Sequence, residues 1–360
     1  MRVKLEDVCE RASSNLKQSD IKEMDGNYPI YGASGYIGSV DFYHQEKPYI
    51  AVVKDGAGIG RTFLHPAKSS VIGTMQYLLP KENVLPQYLF YVVSFMHLEK
   101  YFTGATIPHI YFKDYKKEEF NLDPLDKQVE IIDILSRSEK VVKTRKRELQ
   151  LLENLIKARF VELFGDPRSN PFSFDEWTLK DTCKVVTGNT PSRTDSEYYG
   201  NYVEWIKTDN IVSGLLNPTK ATECLSEKGM EAGRIVERDS ILMACIAGSI
   251  ASIGRVCVTD RTVAFNQQIN AVVPEKYNVL FLYVLLQISK DYLVEDVNMA
   301  LKGILSKSKL EEKKFIVPPI ELQNQFADFV NQVNKSKATI QKALAEAQLL
   351  FDSLMQQYFG

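Results

Sequence analysis

The sequence is short of most features that announce chemistry. Its five cysteines (Cys9, Cys183, Cys224, Cys245 and Cys257) are an odd number with no C-x-x-C pair. That excludes a disulfide scaffold or a zinc cage and points to the cytoplasm. The four histidines (His44, His65, His97 and His109) show no ligand spacing such as H-E-x-x-H, so they read as core or surface residues and not as metal ligands. No apolar h-region opens the chain at "MRVKLEDVCE", and the longest apolar run, "YNVLFLYVLLQ", is too short to span a bilayer. The net charge is −2, without the basic excess of a protein that grips nucleic acid alone. Catalytic signatures are missing as well. "DGAGIG" (55–60) is followed by a strand-like "RTFLH" and not by the helix of a dinucleotide fold. "VPPI" (317–320) lacks the amide or carboxylate and the aromatic that the (Asp/Asn)-Pro-Pro-(Tyr/Phe) tetrad of base-flipping amino-methyltransferases needs. Walker A, G-x-S-x-G and a paired-carboxylate nuclease core are all lacking.

What is present is a duplication. "KARFVELFG" (157–165) returns as "DSLMQQYFG" at 352–360, a shift of 360 − 165 = 195 residues. At that shift Phe120 falls on Phe315, Pro124 on Pro319, Gln128 on Gln323, Leu149 on Leu344 and Phe164 on Phe359. At 194, "IGR" (59–61) meets "IGR" (253–255), and Pro80 meets Pro274. Near the front the shift is 174, "KLEDVCE" (4–10) on "TLKDTCK" (178–184), so copy two carries about 194 − 174 = 20 extra residues before Gly254. Two copies of this size are a duplicated domain, not a solenoid.

Each copy opens on an irregular α/β part. "PYIAVV" (48–53), "RTFLH" (61–65) and "MQYLL" (75–79) predict short strands between glycine turns, and "PQYLFYVVSFMHLEKYF" (86–102) predicts a buried helix entered by proline. Copy two repeats these readings with "SILMACI", "GRVCVT" and "INAVV", and with the helix "NVLFLYVLLQISKDYL". Each copy then closes on one long helix, over about 125–164 and 320–359, with no internal proline or glycine. Pro124 and Pro319 stand at the entrances and Gly165 and Gly360 at the exits. At 1.5 Å per residue each helix is roughly 60 Å long.

A seven-residue stripe runs along both helices. Leu135, Val142, Leu149, Ile156 and Leu163 form it in the first. Phe326, Val333, Ile340, Ala347 and Leu354 form it in the second, beside Val330, Lys337, Leu344, Phe351 and Tyr358. This predicts a coiled-coil-like seam. The connection between the helices contains a whole globular part, which lets them lie antiparallel with a head at each end. The architecture expected is two mixed α/β heads (1–123 and 166–318) and two long antiparallel helices (124–165 and 319–360), related by an internal pseudo-two-fold.

The order of motifs resembles the specificity subunits of Type I restriction-modification systems. "NYPIYGASGYIGSVDFY" (27–43) with "KPYIAVVKDGAGIGRTFL" (47–64) is similar to one class of target recognition domain. "WTLKDTCKVVTGNTPSRTDSEYYG" (177–200) with "VEWIKTDNI" (203–211) is similar to another. "PLDKQVEIIDIL" (124–135), "PPIELQNQFADFV" (318–330) and "ENLIKARFVELFGDP" (153–167) resemble the family's conserved helices. The resemblance implies that each head reads half of a bipartite double-stranded DNA site. It implies helices that set the spacer and dock two modification (methyltransferase) subunits, with restriction subunits completing the nuclease. The chain itself then catalyses nothing and holds no cofactor; S-adenosylmethionine, ATP and Mg belong to the partners. A specificity subunit whose partner fuses methyltransferase and nuclease, and a coiled-coil adaptor with no DNA role, stay open.

Base and phosphate readout favours polar and basic residues on exposed loops. The candidates are Ser34, Tyr36, Lys54, Arg61, His109 and Lys113 in copy one. In copy two they are Arg193, Lys207, Thr208, Asp209, Asn210, Gln267 and Lys302. "IPHIYFKDYKK" (107–117) mixes aromatics with bases, "LKGILSKSK" (301–309) is its counterpart, and "KTRKR" (143–147) is a basic run inside the first long helix. Arg61 and Arg255 match between the copies, which fits a shared structural salt bridge as well as DNA contact. Because the loops differ between copies, the DNA target is expected to be asymmetric.

Overall fold

The computed structural model describes residues 1–21, 25–104, 107–295, 297 and 303–360. The chain forms two compact units, Met1–Arg145 with Ala343–Gly360, and Lys146–Lys342.

In the first unit the apolar run "YIAVV" becomes the inner strand Tyr49–Val53, buried on both faces. Strand side chains alternate sides, so Ile50 and Val52 join one core while Tyr49, Ala51 and Val53 join another. The strand sits in an antiparallel sheet of order Cys9–Ser13, Met75–Pro80, Tyr49–Val53, Thr62–His65. A second sheet holds Gly35–Val40, Tyr28–Gly32 and Ser70–Val71. The strands Arg2–Lys4 and Glu119–Asn121 pair with Val3 opposite Phe120, joining the first residues to those that lead into the long helix.

The second unit rebuilds this plan. Its sheet runs Cys183–Thr187, Ile269–Pro274, Ile241–Ala244, Val256–Val258, the same order strand for strand. The register is conserved too: Cys9 faces Pro80 and Cys183 faces Pro274. Ile241 and Met243 again take one core, Leu242 and Ala244 the other. The extra residues of copy two supply part of a five-stranded sheet around Val203–Ile206, which runs parallel to Val263–Phe265.

Two helices are shorter than their apolar patterns. The helix predicted over 86–102 ends at Phe95, because His97 takes a left-handed backbone (φ 52°), and a separate 3-10 turn covers Leu98–Tyr101. In copy two the helix ends at Ile288, Ser289 interrupts it, and Lys290–Val294 forms another. Apolar content marks burial, but it does not show where the backbone turns.

The long helices span Leu125–Phe164 and Ile320–Phe359. Gly165 closes the first with φ +72°, its N–H on Val161 O, and a Cβ there would meet the Pro171 ring at 2.3 Å. Each unit contains the start of one helix and the end of the other. In the second unit Lys337 Nζ lies 3.3 Å from Glu153 Oε1, and seven residues further along the first helix Phe160 packs on Phe326. In the first unit Tyr91 touches both Glu139 and Phe351, while Tyr88 packs on Phe359. The helices therefore pass antiparallel in both units. Leu135, Val142, Ile156 and Val333 of the seam are buried, and Leu149, Leu163, Ile340, Leu344, Phe351 and Leu354 are half-buried.

Four cysteines are buried and Cys224 is half-buried, all as free thiols. His65 is 6% exposed, stacked on Tyr31 at 4.0 Å and beside Tyr49. Burial holds its imidazole down at about 4, against an ordinary 6.5. The unfolded chain therefore binds this proton first as pH falls. The contribution is intact above pH 6.5 and is lost on the way down to 4. His65→Phe is expected to remove about 2 kcal/mol of the stability difference between pH 7 and pH 5, read from urea midpoints. An unchanged pH dependence would refute the assignment.

Candidate nucleic-acid interface

The candidate residues gather on loops at the strand ends. In the first unit the "DGAGIG" segment is the connection between two antiparallel strands and leads into no helix. It is laced to a second loop: Gly56 N–H donates to Pro108 O at 2.9 Å, and Ile110 N–H donates to Lys54 O at 2.9 Å. This brings Lys54 and His109 to the same carboxylate. His109 Nδ1 lies 2.7 Å from Asp55 Oδ1, and Lys54 Nζ lies 4.0 Å from Asp55 Oδ2. Exposed Lys113 sits 5.3 Å from the centre of the Tyr111 ring on the adjoining turn. Ser34 and Tyr36 lie apart from these, at the tip of the Tyr28–Gly32/Gly35–Val40 hairpin, where Gly35 takes φ +110°. Tyr36 is 63% exposed, and its hydroxyl bonds Ser39.

In the second unit Arg193 and Lys207 meet on Glu223. Arg193 Nη2 lies 2.8 Å from Glu223 Oε2, and Lys207 Nζ lies 2.9 Å from Glu223 Oε1. The hydrogen bond from Lys207, then that from Arg193, holds the Glu223 carboxyl below the usual carboxylate range. Beneath them are rings. The Arg193 guanidinium is 4.6 Å from the Tyr199 centroid and 5.0 Å from that of Trp205, and Lys207 Nζ is 5.2 Å from Trp205. Trp205 is nearly buried and its indole N–H donates to Asn189 O. Next to Asn189, the Thr190 hydroxyl donates to exposed Gln267. Thus Arg193, Lys207 and Gln267 belong to one surface.

The Thr208–Asn210 turn adjoins Lys207. Asp209 is exposed there, Thr208 is half-buried and Asn210 is buried. Asn210 is occupied internally: its Oδ1 accepts from Lys207 N–H, and its Nδ2 donates to Thr219 Oγ1 and Lys220 O. Its side chain shapes the turn that presents its neighbours. Lys302 lies outside the described residues. In "KTRKR", Lys143, Lys146 and Arg147 are exposed.

Arg61 and Arg255 share one geometry. Arg61 Nε donates to Gly58 O and Arg255 Nε to Ser252 O, each three residues upstream at 3.3 Å. Arg255 also donates to Thr208 O. The matched arginine is thus a clip on its own turn through backbone carbonyls, and not the shared salt bridge that the matching positions suggested, since neither copy forms one among the described residues. Among the described residues no group of three or more His, Cys, Asp or Glu side chains is placed to hold a metal ion. No described helix is long and apolar enough to cross a membrane.

The model of the Type I restriction modification DNA specificity domain matches residues 1–154 and again 172–348, once on each copy. This chain belongs to that family. It is the specificity subunit of a Type I restriction-modification system, and its relatives carry the same description. The HindI specificity subunit of Haemophilus influenzae is 30% identical over 120 residues, 32% of this chain and 25% of that one. The chain thus spans a quarter of that relative's length. The MjaIX and MjaVIII specificity subunits of Methanocaldococcus jannaschii are 20% and 24% identical, over 77% and 82% of this chain and 69% and 76% of theirs. In fold, the chain is similar to a Type I S subunit from M. genitalium, with a TM-score of 0.62, 16% identity, and coverage of 100% of this chain and 96% of that one. A chain from a structure of Type I complex assembly and conformational transition gives 0.52, at 15% identity over 99% and 97%.

For a specificity subunit, sequence reasoning missed the partners of its candidates. Asp55, Glu223, Tyr199 and Trp205 come forward through contacts in the folded chain, which place them against His109, Arg193 and Lys207. The signal was present in "VEWIKTDNI", where a tryptophan stands two residues before a candidate lysine. That pattern is usual for cation–π floors.

Proposed function

We infer that each unit reads one half of a bipartite, asymmetric double-stranded DNA site. The observation that carries this is the repeated sheet: one strand order and one register, presented twice, with unlike loops on each. A common scaffold with different cation-bearing loops is what two different half-sites require. The long helices set the spacer and dock two methyltransferase subunits, with restriction subunits completing the complex. Apolar side chains left exposed along them support docking, among them Val129, Val141, Leu151, Leu155, Leu349 and Leu350. The near-neutral net charge fits partners that supply much of the phosphate neutralisation. In this reading the chain is a non-catalytic cytoplasmic subunit, and S-adenosylmethionine, ATP and Mg are handled by its partners.

The test is methylome mapping by long-read sequencing of cells that co-express the chain with its methyltransferase. The expected result is adenine methylation at one bipartite site with unlike halves. Replacing Arg193 and Lys207 together is expected to lower the extent of methylation at that site without changing the sequence of either half. Methylation with no defined bipartite site would refute the reading.

A further inference from the structure

We propose that Glu223 is an internal stand-in for a DNA phosphate, holding Arg193 and Lys207 together until a backbone phosphate takes its place. The inference rests on the reading that this surface faces DNA. Its geometry is that of a phosphate site already filled. Two cations from separate segments converge on the two oxygens of one carboxylate, at 2.8 and 2.9 Å. Both cations lie over an aromatic floor, which keeps them in place when the anion leaves. The side chains of Arg193, Lys207 and Glu223 are 53%, 29% and 38% exposed. Ion pairs this open to water are weak enough for an incoming phosphate to displace.

The device has a purpose in a protein that must search long DNA. Sequence-independent affinity comes from cations on phosphates and grows with each one. A carboxylate that competes for the same cations lowers affinity for every duplex. Base contacts still decide between sites, so the ratio of specific to non-specific binding is kept while the chain dwells for less time on non-cognate DNA. The first unit has a related grouping at a position that the repeat does not match, with Asp55 Oδ1 2.7 Å from His109 Nδ1 and Asp55 Oδ2 4.0 Å from Lys54 Nζ. Two unrelated loop sets thus each place a carboxylate beside candidate DNA-contacting side chains.

The experiment measures binding of the full-length chain to a non-cognate duplex of about 30 base pairs over a range of salt. Glu223→Gln keeps the shape and removes the charge. The expected result is about five- to tenfold tighter non-cognate binding, with the slope of log K against log salt steeper by about 1 to 2, as one or two more phosphates are engaged. In an Arg193→Ala/Lys207→Ala background the same substitution is expected to change nothing. Trp205 emission, read in a Trp177→Phe chain, is expected to shift on DNA binding as the cations above the indole move. Asp55→Asn is the independent second variant and is expected to act in the same direction. Unchanged affinity in both acid variants overturns the proposal. So does an equal gain without the two cations, since a general change in surface charge would then explain it. If Arg193→Ala/Lys207→Ala with Glu223 intact binds duplex as tightly as the parent, the assignment of this face to DNA fails, and the proposal with it.

Discussion

Gln128→Ala is expected to destabilise the first unit by about 2–4 kcal/mol, far more than a polar helix substitution normally costs. Gln128 is fully buried in the first turn of the long helix. Its Oε1 accepts from Leu85 N–H at 2.8 Å, and its Nε2 donates to Asp123 O at 2.8 Å and to Asn83 O at 3.0 Å. Those groups belong to the approach to the helix and to the loop before Pro86–Phe95. One amide therefore bolts the long helix to the domain it serves, and alanine would leave three backbone groups without it. Gln323 repeats the bolt in the second unit, accepting from Asn278 N–H at 2.9 Å and donating to Pro318 O at 2.8 Å. With two bonds instead of three, Gln323→Ala is expected to cost about 1–3 kcal/mol. Gln128→Glu separates a hydrogen-bond role from simple packing. A carboxylate still accepts from Leu85 but faces two carbonyl oxygens, so it should be at least as damaging as alanine at neutral pH. It should recover in part as pH falls, because protonation of the folded state restores one donor. Urea denaturation measures all three, with exposed Gln150→Ala as a control expected within about 0.5 kcal/mol of the parent. A Gln128→Ala chain as stable as that control would refute the bolt.

Phe164→Ala is expected to cost about 3–5 kcal/mol. Phe160, Phe164, Phe281 and Phe326 are all fully buried, and Phe164 lies 4.8 Å from Phe281, 4.9 Å from Phe160 and 5.5 Å from Phe326 between ring centres. This cluster joins the end of the first long helix, the start of the second and the helix Val279–Ile288 of the sheet domain. Truncation leaves a ring-sized cavity that neighbours on three different elements cannot all close. Phe164→Leu, which keeps most of the volume, should lose less than half as much, and Val161→Ala, half exposed on the same helix, should be nearly neutral. Guanidinium unfolding followed by tryptophan emission reads the series. Equal effects at Phe164 and Val161 would show that the cluster does not anchor the helix. The half-buried seam residues Leu149 and Leu344 lie shallower than these rings, so the helices are anchored most strongly near their ends.

Much of this was legible in the chain. "YIAVV" declared a strand buried on both faces, and Pro124 and Gly165 bracketed a helix whose stripe repeats every seven residues. The break at His97 was missed: histidine is among the residues enriched in the left-handed region, but the apolar run on both sides of it reads as one continuous buried helix. Gln128 and Gln323 were visible as a matched pair but not as buried. Their partners, Leu85 and Asn278, are more than 40 residues away.

The sequence by itself determined the duplication, the two long helices and the strands of each core. These depend on neighbours within a few positions: caps, turns, and side-chain periods of two or of seven. Only the tertiary structure decided that Glu223 stands between Arg193 and Lys207, that Asp55 lies beside His109, and that Asn210 turns inward. Those groupings arise where separate loops meet at the ends of a sheet, and the distance between them in the chain carries no record of it.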